Sequence, residues 1–336
     1  MIRRTALLRG ALLAAMLSSA AACADAVTDA PGAAPAAPRA DVAVSALASV
    51  NIRSLIDTVT NTIIADSTNQ YDVPTATHTT HFRTAVDRVL AGRVAGADSL
   101  LDPYAYDVYS IRDATSGDSM VVFRERKAAG STKVARGWGT YIFNPAPARR
   151  VDVHVNHPID DQHTEDIGSE LFRDVNGRWF MMAGARRLAN FNNDADVAHQ
   201  AGSVFNQMHT RVAAANVRTV SIHGFRESNN TSLPDDVDQV LSNGASAASG
   251  TPVYGTAEPA LRTRLVNGGF VAGLFNVTPG YSVLGATTNV QGLHSNNSFG
   301  FGRWIHVETE KNVRDDTVAW RSMNTILRQW IIDFPT

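Results

Sequence analysis

Metal-capable side chains are concentrated between Val151 and Gly168, in the stretch VDVHVNHPIDDQHTEDIG. Three histidines and five acidic residues fall within these eighteen residues, directly after a segment that alternates like a β-strand. Proline cannot continue a central strand, so this strand is expected to stop at His157-Pro158. Histidine nitrogens and carboxylate oxygens are ligands of catalytic zinc. The stretch therefore predicts a metal site at the end of the strand.

The elements that would position these groups are apolar strands alternating with amphipathic helices from Val151 onward. This order predicts an α/β fold with a mixed, mainly parallel central sheet and helices on both faces. Ligands of such sheets bind beyond the carboxyl ends of the strands. Four further predicted strands end in polar groups: Arg186-Arg187, His223, Ser242-Asn243 and Glu308.

His157 and His223 are predicted to provide two zinc ligands. A carboxylate after the first strand would provide the third, and three residues are candidates: Asp160, Asp161 and Glu165. Zinc with an open position lowers the pKa of a bound water to about 7. His154, by contrast, is expected to be structural, because strand alternation turns it away from His157.

The remaining roles follow from the same sheet edge. Glu308 is the predicted general base, and Arg187 is predicted to bind a substrate carboxylate or a developing oxyanion. Arg314 follows the strand of Glu308 and is predicted to bind substrate. Asn289 and Gln291 lie in a Gly/Asn-rich segment, GATTNVQGLHSNN, which is interpreted as a loop lining the pocket.

These motifs, in this order, resemble the zinc carboxypeptidase-like superfamily, most closely its N-formylglutamate amidohydrolase and poly-γ-glutamate hydrolase branch. The resemblance spans about Trp138 to Ile332. It rests on four short motifs: His157-Pro-Ile-Asp-Asp161, Ala183-Gly-Ala-Arg-Arg187, Ser221-Ile-His-Gly224 and Ile305-His-Val-Glu308. It implies hydrolysis of an amide bond in an acidic or carboxylate-bearing small-molecule or peptide substrate. The chain departs from the family in lacking the usual His-x-x-Glu, so the second ligand would come from Asp160, Asp161 or Glu165.

The N-terminus reads as an export signal of the lipoprotein type, residues 1–23. Arg3 and Arg4 precede an apolar run that is too short to span a bilayer, and Ala20-Ala-Ala-Cys23 resembles a lipidation site. A secreted protein cleaved nearby is the alternative. We expect location in a bacterial cell envelope, with membrane attachment only through Cys23. As the single cysteine, Cys23 allows no intramolecular disulfide.

The remaining chain is predicted to contain three parts. Residues 24–46 form a disordered Ala/Pro tether, residues 47–100 a helical lead-in, and residues 101–336 the α/β hydrolytic domain. The net charge of -2, without a Lys/Arg run, argues against nucleic acid as a partner.

Other reaction classes lack their sequence signatures. The chain has neither a Gly-x-Ser-x-Gly elbow nor a phosphate-binding loop, and its one cysteine belongs to the predicted signal. The alternative from another class is a non-catalytic envelope lipoprotein that binds a ligand or partner on the same scaffold. Stoichiometric zinc in the purified protein would favour the enzyme.

Overall fold

The computed structural model describes residues 47–245 and 254–336. The predicted signal with Cys23 and the predicted tether at 24–46 lie outside the described residues. The elements in chain order are β1 (Ser49–Val50), α1 (Ile52–Thr60), α2 (Ala76–Leu90), α3 (Val94–Leu101), β2 (Tyr106–Asp113), β3 (Ser119–Glu125), β4 (Thr140–Phe143), β5 (Val151–Val155), α4 (Thr164–Asp174), β6 (Trp179–Met182), α5 (Val204–Val212), β7 (Arg218–Phe225), β8 (Gln239–Ser242), α6 (Ala257–Asn267), β9 (Ala272–Leu274), α7 (Val290–Phe299), β10 (Trp304–Glu310), α8 (Lys311–Asp315) and α9 (Thr317–Asp333).

The strands form one sheet in the order β1-β2-β3-β4-β6-β5-β7-β10-β8-β9. Five neighbouring pairs are parallel, including all those that join β6, β5, β7 and β10. The antiparallel pairs join β2, β3, β4 and β6 in sequence, and β10 with β8. The predicted mixed, mainly parallel sheet is confirmed. Its parallel centre brings the carboxyl ends of β5, β7 and β10 to one edge.

Helices cover both faces of the sheet. The side chains beneath them are apolar on one face and polar on the central part of the other. On one face, Val153, Ile222 and Val307 belong to an apolar core that also contains side chains of α1, α4, α6 and α9. The other face of β5, β7 and β10 is polar, because alternate residues such as His154, Ser221 and His306 point there. Helices α5 and α7 lie against this polar face and bury it.

Two predicted elements differ from the structure. The Gly/Asn-rich segment that was predicted to be a loop contains helix α7, for which Asn289 is the N-cap and accepts a hydrogen bond from the Gly292 amide. The segment DVAHQAGSVFNQMHTRVAAA predicts a helix from Asp196, but α5 begins only at Val204, where the Ser203 side chain caps it. In the described part of the chain, no helix has the length and apolar character needed to cross a bilayer.

Candidate metal centre

Three buried ligand atoms converge beyond the ends of β5 and β7. The nitrogen Nδ1 of His157 lies 3.3 Å from Oδ2 of Asp161, and Nδ1 of His223 lies 3.4 Å from the same oxygen. The two imidazole rings are edge-to-face, with centroids 4.9 Å apart. One ligand atom from each of the three residues lies within 4.8 Å of the others. The structure therefore brings together the two predicted histidines and one predicted carboxylate.

This arrangement fits zinc. Two ligands held about 2.1 Å from a tetrahedral ion lie about 3.4 Å apart, which matches the separations of both histidine nitrogens from Asp161. A His₂-carboxylate set is also typical of catalytic zinc sites that keep one position open. Both histidines have their second ring nitrogen held by a neighbour: Nε2 of His157 lies 2.9 Å from Oδ1 of Asp196, and Nε2 of His223 lies 3.1 Å from Ser221 Oγ.

The protonation of the two rings differs in this form of the protein. Burial lowers the pKa of His223, so its ring is neutral at neutral pH. Burial acts in the same direction on His157, but hydrogen bonds to Asp161 and Asp196 outweigh it and raise its pKa to about 9. A metal ion would replace the proton that His157 shares with Asp161, because histidine binds metal in its neutral form.

Of the three candidate carboxylates, only that of Asp161 lies at the centre. Asp160 accepts hydrogen bonds from Nε of Arg186 and from the backbone amide of Arg187, both at 2.8 Å, and so fixes the turn after β6. Glu165 accepts from the amide of Ile159 at 3.4 Å, in a turn where Ile159 has a φ of 70°. Such a φ is rare for a β-branched residue and is maintained by the surrounding structure. Asp160 and Glu165 therefore shape the turn that carries Asp161.

Glu308 lies beside the three ligands, at the position of β10 that pairs with His223. Its Oε1 lies 3.4 Å from Nε2 of His306, and its buried Oε2 has no hydrogen-bond partner among the described residues. Burial, and after it the charge of Asp161, raise the pKa of Glu308 to about 8. His223, His306 and Glu308 form a second group of close ligand atoms, which shares His223 with the first.

These residues line a cavity of about 490 Å³. Arg187 lies at its wall, where its guanidinium hydrogen-bonds Oδ1 of Asp161 at 2.5 Å. The exposed side chain of Arg226 and the loop 284–289 contribute further parts of the wall. The cavity is therefore lined by cationic side chains in addition to the candidate metal ligands.

The three predicted substrate-binding residues differ in whether their side chains line the cavity. Asn289 lines the cavity. Arg314 also lines it, but its guanidinium donates to the carbonyls of Thr309, Gln162 and Phe225 and thereby ties three chain segments together. Gln291 does not reach the cavity: it is fully buried under the polar face of the sheet. Its interpretation as a substrate-lining loop residue was wrong, because it lies in helix α7 and its amide pairs with Asn156.

Sequence reasoning missed four residues at this site: Asp196, Ser221, His306 and Arg226. Ser221 and His306 could have been found from strand alternation, because they lie two residues before His223 and Glu308 on the same face. Asp196 lies in the long connection between β6 and α5, and no local pattern points to it.

Several solved structures are similar to the chain, with low sequence identities and low TM-scores. A zinc-free form of YndL has 13% identity and a TM-score of 0.37, covering 69% of this chain and 92% of that one. A bacteriophage poly-γ-glutamate hydrolase has 12% identity and a TM-score of 0.37, with 65% and 91% covered. A metallo-carboxypeptidase from Burkholderia cenocepacia has 13% identity and a TM-score of 0.28, with 74% and 69% covered. No protein-family model and no curated protein matches the chain. The similar structures include hydrolases of the kind that the motifs resemble.

Proposed function

We propose that the chain is a zinc-dependent hydrolase that cleaves an amide bond in a carboxylate-bearing substrate. The observation that supports this most directly is the convergence of His157, Asp161 and His223 in one buried cluster with zinc-like spacing. Glu308 lines the same cavity and can reach a reacting group without being needed as one of these three ligands. An open cavity beside a three-ligand set is what a catalytic metal site requires.

Glu308 would move the proton in this reaction. Zinc held by the three ligands would polarise the scissile carbonyl and make a water molecule acidic near neutral pH. In the metal-free form Glu308 holds a proton at neutral pH, since its pKa is about 8. A dication nearby would favour its ionised form. Ionised Glu308 would then accept a proton from the attacking water and deliver it to the leaving nitrogen.

The charges of the cavity favour an anionic substrate. Arg187 bonds Oδ1 of Asp161 through Nη2, and its guanidinium carries further N–H donors that would bind a substrate carboxylate. The side chain of Arg226 has no ion pair among the described residues and lines the same cavity. Two arginines would therefore hold carboxylate groups of a substrate while Glu308 acts on its amide bond.

The proposal is tested by zinc analysis of the purified protein together with hydrolysis assays on acidic N-acyl amino acids and short peptides. We expect one zinc per chain, and activity that a chelator removes and zinc restores. Protein that binds no zinc and hydrolyses none of these substrates would contradict the proposal and favour a ligand-binding lipoprotein.

We also propose that the enzyme is exported and anchored in the cell envelope by a lipid on Cys23. The support is the basic, apolar and small-residue order of residues 1–23. Wild-type protein should fractionate with membranes, and mass spectrometry should find its N-terminal cysteine acylated. The variant Cys23→Ser should lack the acyl mass, and a membrane-associated wild-type protein whose Cys23 carries no lipid would contradict the lipid anchor.

A further inference from the structure

A row of buried side-chain hydrogen bonds runs from His223 to helix α7. Nε2 of His223 lies 3.1 Å from Ser221 Oγ, and Ser221 Oγ lies 2.9 Å from Oδ1 of Asn156. Nδ2 of Asn156 lies 3.0 Å from Oε1 of Gln291. All four side chains are buried. The row thus links a metal ligand to a helix that contributes no ligand itself.

Two backbone carbonyls fix the direction of every bond in this row. Gln291 directs its amide nitrogen Nε2 at the carbonyl oxygen of Val197, 2.9 Å away, and a carbonyl only accepts. The same Nε2 lies 3.2 Å from Oδ1 of Asn206, whose own Nδ2 donates to the carbonyl of Ala201 at 2.8 Å. Both of these hydrogen bonds require the amide nitrogen of Gln291 to face Val197 and Asn206, so its amide oxygen faces Asn156.

The orientation of Gln291 then determines which group donates and which accepts in each hydrogen bond up to His223. Because Oε1 of Gln291 accepts, Asn156 donates through Nδ2 and turns its Oδ1 to Ser221. Ser221 donates its hydroxyl proton to that oxygen, so its own oxygen accepts from Nε2 of His223. A neutral His223 with its proton on Nε2 has a lone pair on Nδ1, which lies 3.4 Å from the acceptor oxygen of Asp161. Nδ1 of His223 and the Asp161 oxygen are then both acceptors, and a cation between them would bind to both.

We propose that Gln291 is a positioning residue that, through Asn156 and Ser221, keeps the proton of His223 on Nε2 and so presents Nδ1 to the metal. The inference rests on the metal-binding part of the proposed function, but the tautomer itself is a property of the metal-free chain. Gln291 would act at a distance, without touching metal or substrate, because it is fully buried and does not line the cavity.

The first experiment reads the tautomer directly. Zinc-free protein labelled with ¹⁵N in histidine is studied by long-range ¹H–¹⁵N correlation, with His223→Asn used for assignment. We expect His223 to carry its proton on Nε2 in the wild type. A proton on Nδ1 would overturn the proposal whether or not the protein is a hydrolase.

The second experiment measures zinc affinity by competition with a chromogenic chelator. Gln291→Leu removes the anchored amide, and we expect a mixture of His223 tautomers and an affinity lowered by about tenfold to a hundredfold. Asn297→Leu is the matched control, since Asn297 is exposed on the same helix. Ser221→Ala removes the acceptor next to His223 with little change in volume, and it provides the test if Gln291→Leu does not fold.

The outcomes separate the two proposals. Wild-type protein that binds no zinc but shows the Nε2 tautomer would defeat the proposed function and leave the hydrogen-bond row supported. Wild-type protein that binds zinc and hydrolyses substrate, with a folded Gln291→Leu and a folded Ser221→Ala of unchanged affinity, would defeat the positioning role alone.

Discussion

Asp196 would act on the proposed metal centre through another side chain. Its Oδ1 accepts a hydrogen bond from Nε2 of His157 at 2.9 Å, which orients the ring that presents Nδ1 to Asp161. Loss of such a partner typically lowers metal affinity about tenfold to a hundredfold. We predict this loss for Asp196→Ala in a chelator competition assay. Asp194→Ala, in the same loop but paired with Asn192, is expected to bind zinc like the wild type. Equal affinity of the two variants would contradict the role of Asp196.

Glu308 offers a sharper test, because a matched glutamate lies on the same face of β10. Glu308→Gln keeps the size of the side chain but cannot accept a proton, so turnover should fall by about a hundredfold to ten-thousandfold with zinc retained. Glu310 instead accepts a hydrogen bond from the Asn312 amide as the N-cap of α8, and a glutamine can do the same. Glu310→Gln should therefore keep its activity. Full activity in Glu308→Gln would remove the general base from the mechanism.

The sequence could identify residues of this site only where they lie near the end of a predicted strand. His223 and Glu308 lie near the ends of buried strands, and His157, Asp161 and Arg187 follow such strands within six residues; the parallel sheet brings those ends together. The choice of Asp161 over Asp160 and Glu165 depended on the turn after β5. That turn includes a positive φ at Ile159, which no sequence pattern indicates. Partners such as Asp196, from a distant loop, are determined by tertiary packing.

At the scale of elements, the connection between β6 and α5 carries both Arg187 and Asp196 and is fixed by Asn190. The Asn190 side chain accepts from the Tyr71 amide at 3.0 Å and donates to the Tyr71 carbonyl at 2.9 Å. Asn190→Ala would leave both buried backbone groups unpaired, so we predict a loss of about 2 to 4 kcal/mol in the free energy of unfolding. Denaturant unfolding measures it. Asn192→Ala, exposed in the same loop, should change it little, and equal effects would contradict the bridge.

The elements that could be predicted are those with a clear apolar period. Strands β5, β6, β7 and β10 and helix α9 bury large apolar side chains, and the sequence shows them as such. Helix α7 was missed because its buried positions are Gln291, Gly292 and Ser295, which suit the polar face of the sheet beneath it. A helix that buries polar side chains lacks the apolar stripe from which helices are predicted. The same polar face explains why Gln291 was interpreted as a pocket residue.

At the scale of the whole molecule, two buried histidines make stability depend on pH. His154 in β5 and His209 in α5 lie edge-to-face, and burial, followed by the charge of His294, lowers the pKa of His209 from 6.5 to about 3. Between pH 6.5 and about pH 3 this histidine is therefore protonated in the unfolded chain but neutral in the folded chain. Stability that is present above pH 6.5 is lost as the pH falls. From pH 7 to pH 5 this amounts to about 2 kcal/mol for His209. Burial depresses the pKa of His154 as well, so His154 adds to the loss.

The measurement is denaturant unfolding of wild type and His209→Gln at pH 7 and pH 5. Glutamine does not titrate and can still hydrogen-bond Ser295 Oγ, which lies 3.1 Å from Nε2 of His209. We expect the difference between the two pH values to shrink by about 2 kcal/mol in the variant. An unchanged difference would show that His209 is not a source of the pH dependence.

Zinc binding should also stabilise the whole molecule, by an amount that depends on Asp161. In the metal-free protein the Asp161 carboxylate is held by His157 and Arg187, and an extensive core packs around the sheet, so the chain is expected to fold without metal. Free zinc at a hundred times its dissociation constant should then add about 2.7 kcal/mol, because an ion that binds only the folded state shifts the folding equilibrium. For a domain of this size that is a rise of several degrees in Tm. In Asp161→Asn the charge that attracts the ion is gone, so the rise should vanish while the metal-free protein still melts cooperatively. A thermal melt with and without zinc measures both, and an equal zinc-induced rise in Asp161→Asn would place the metal elsewhere in the chain.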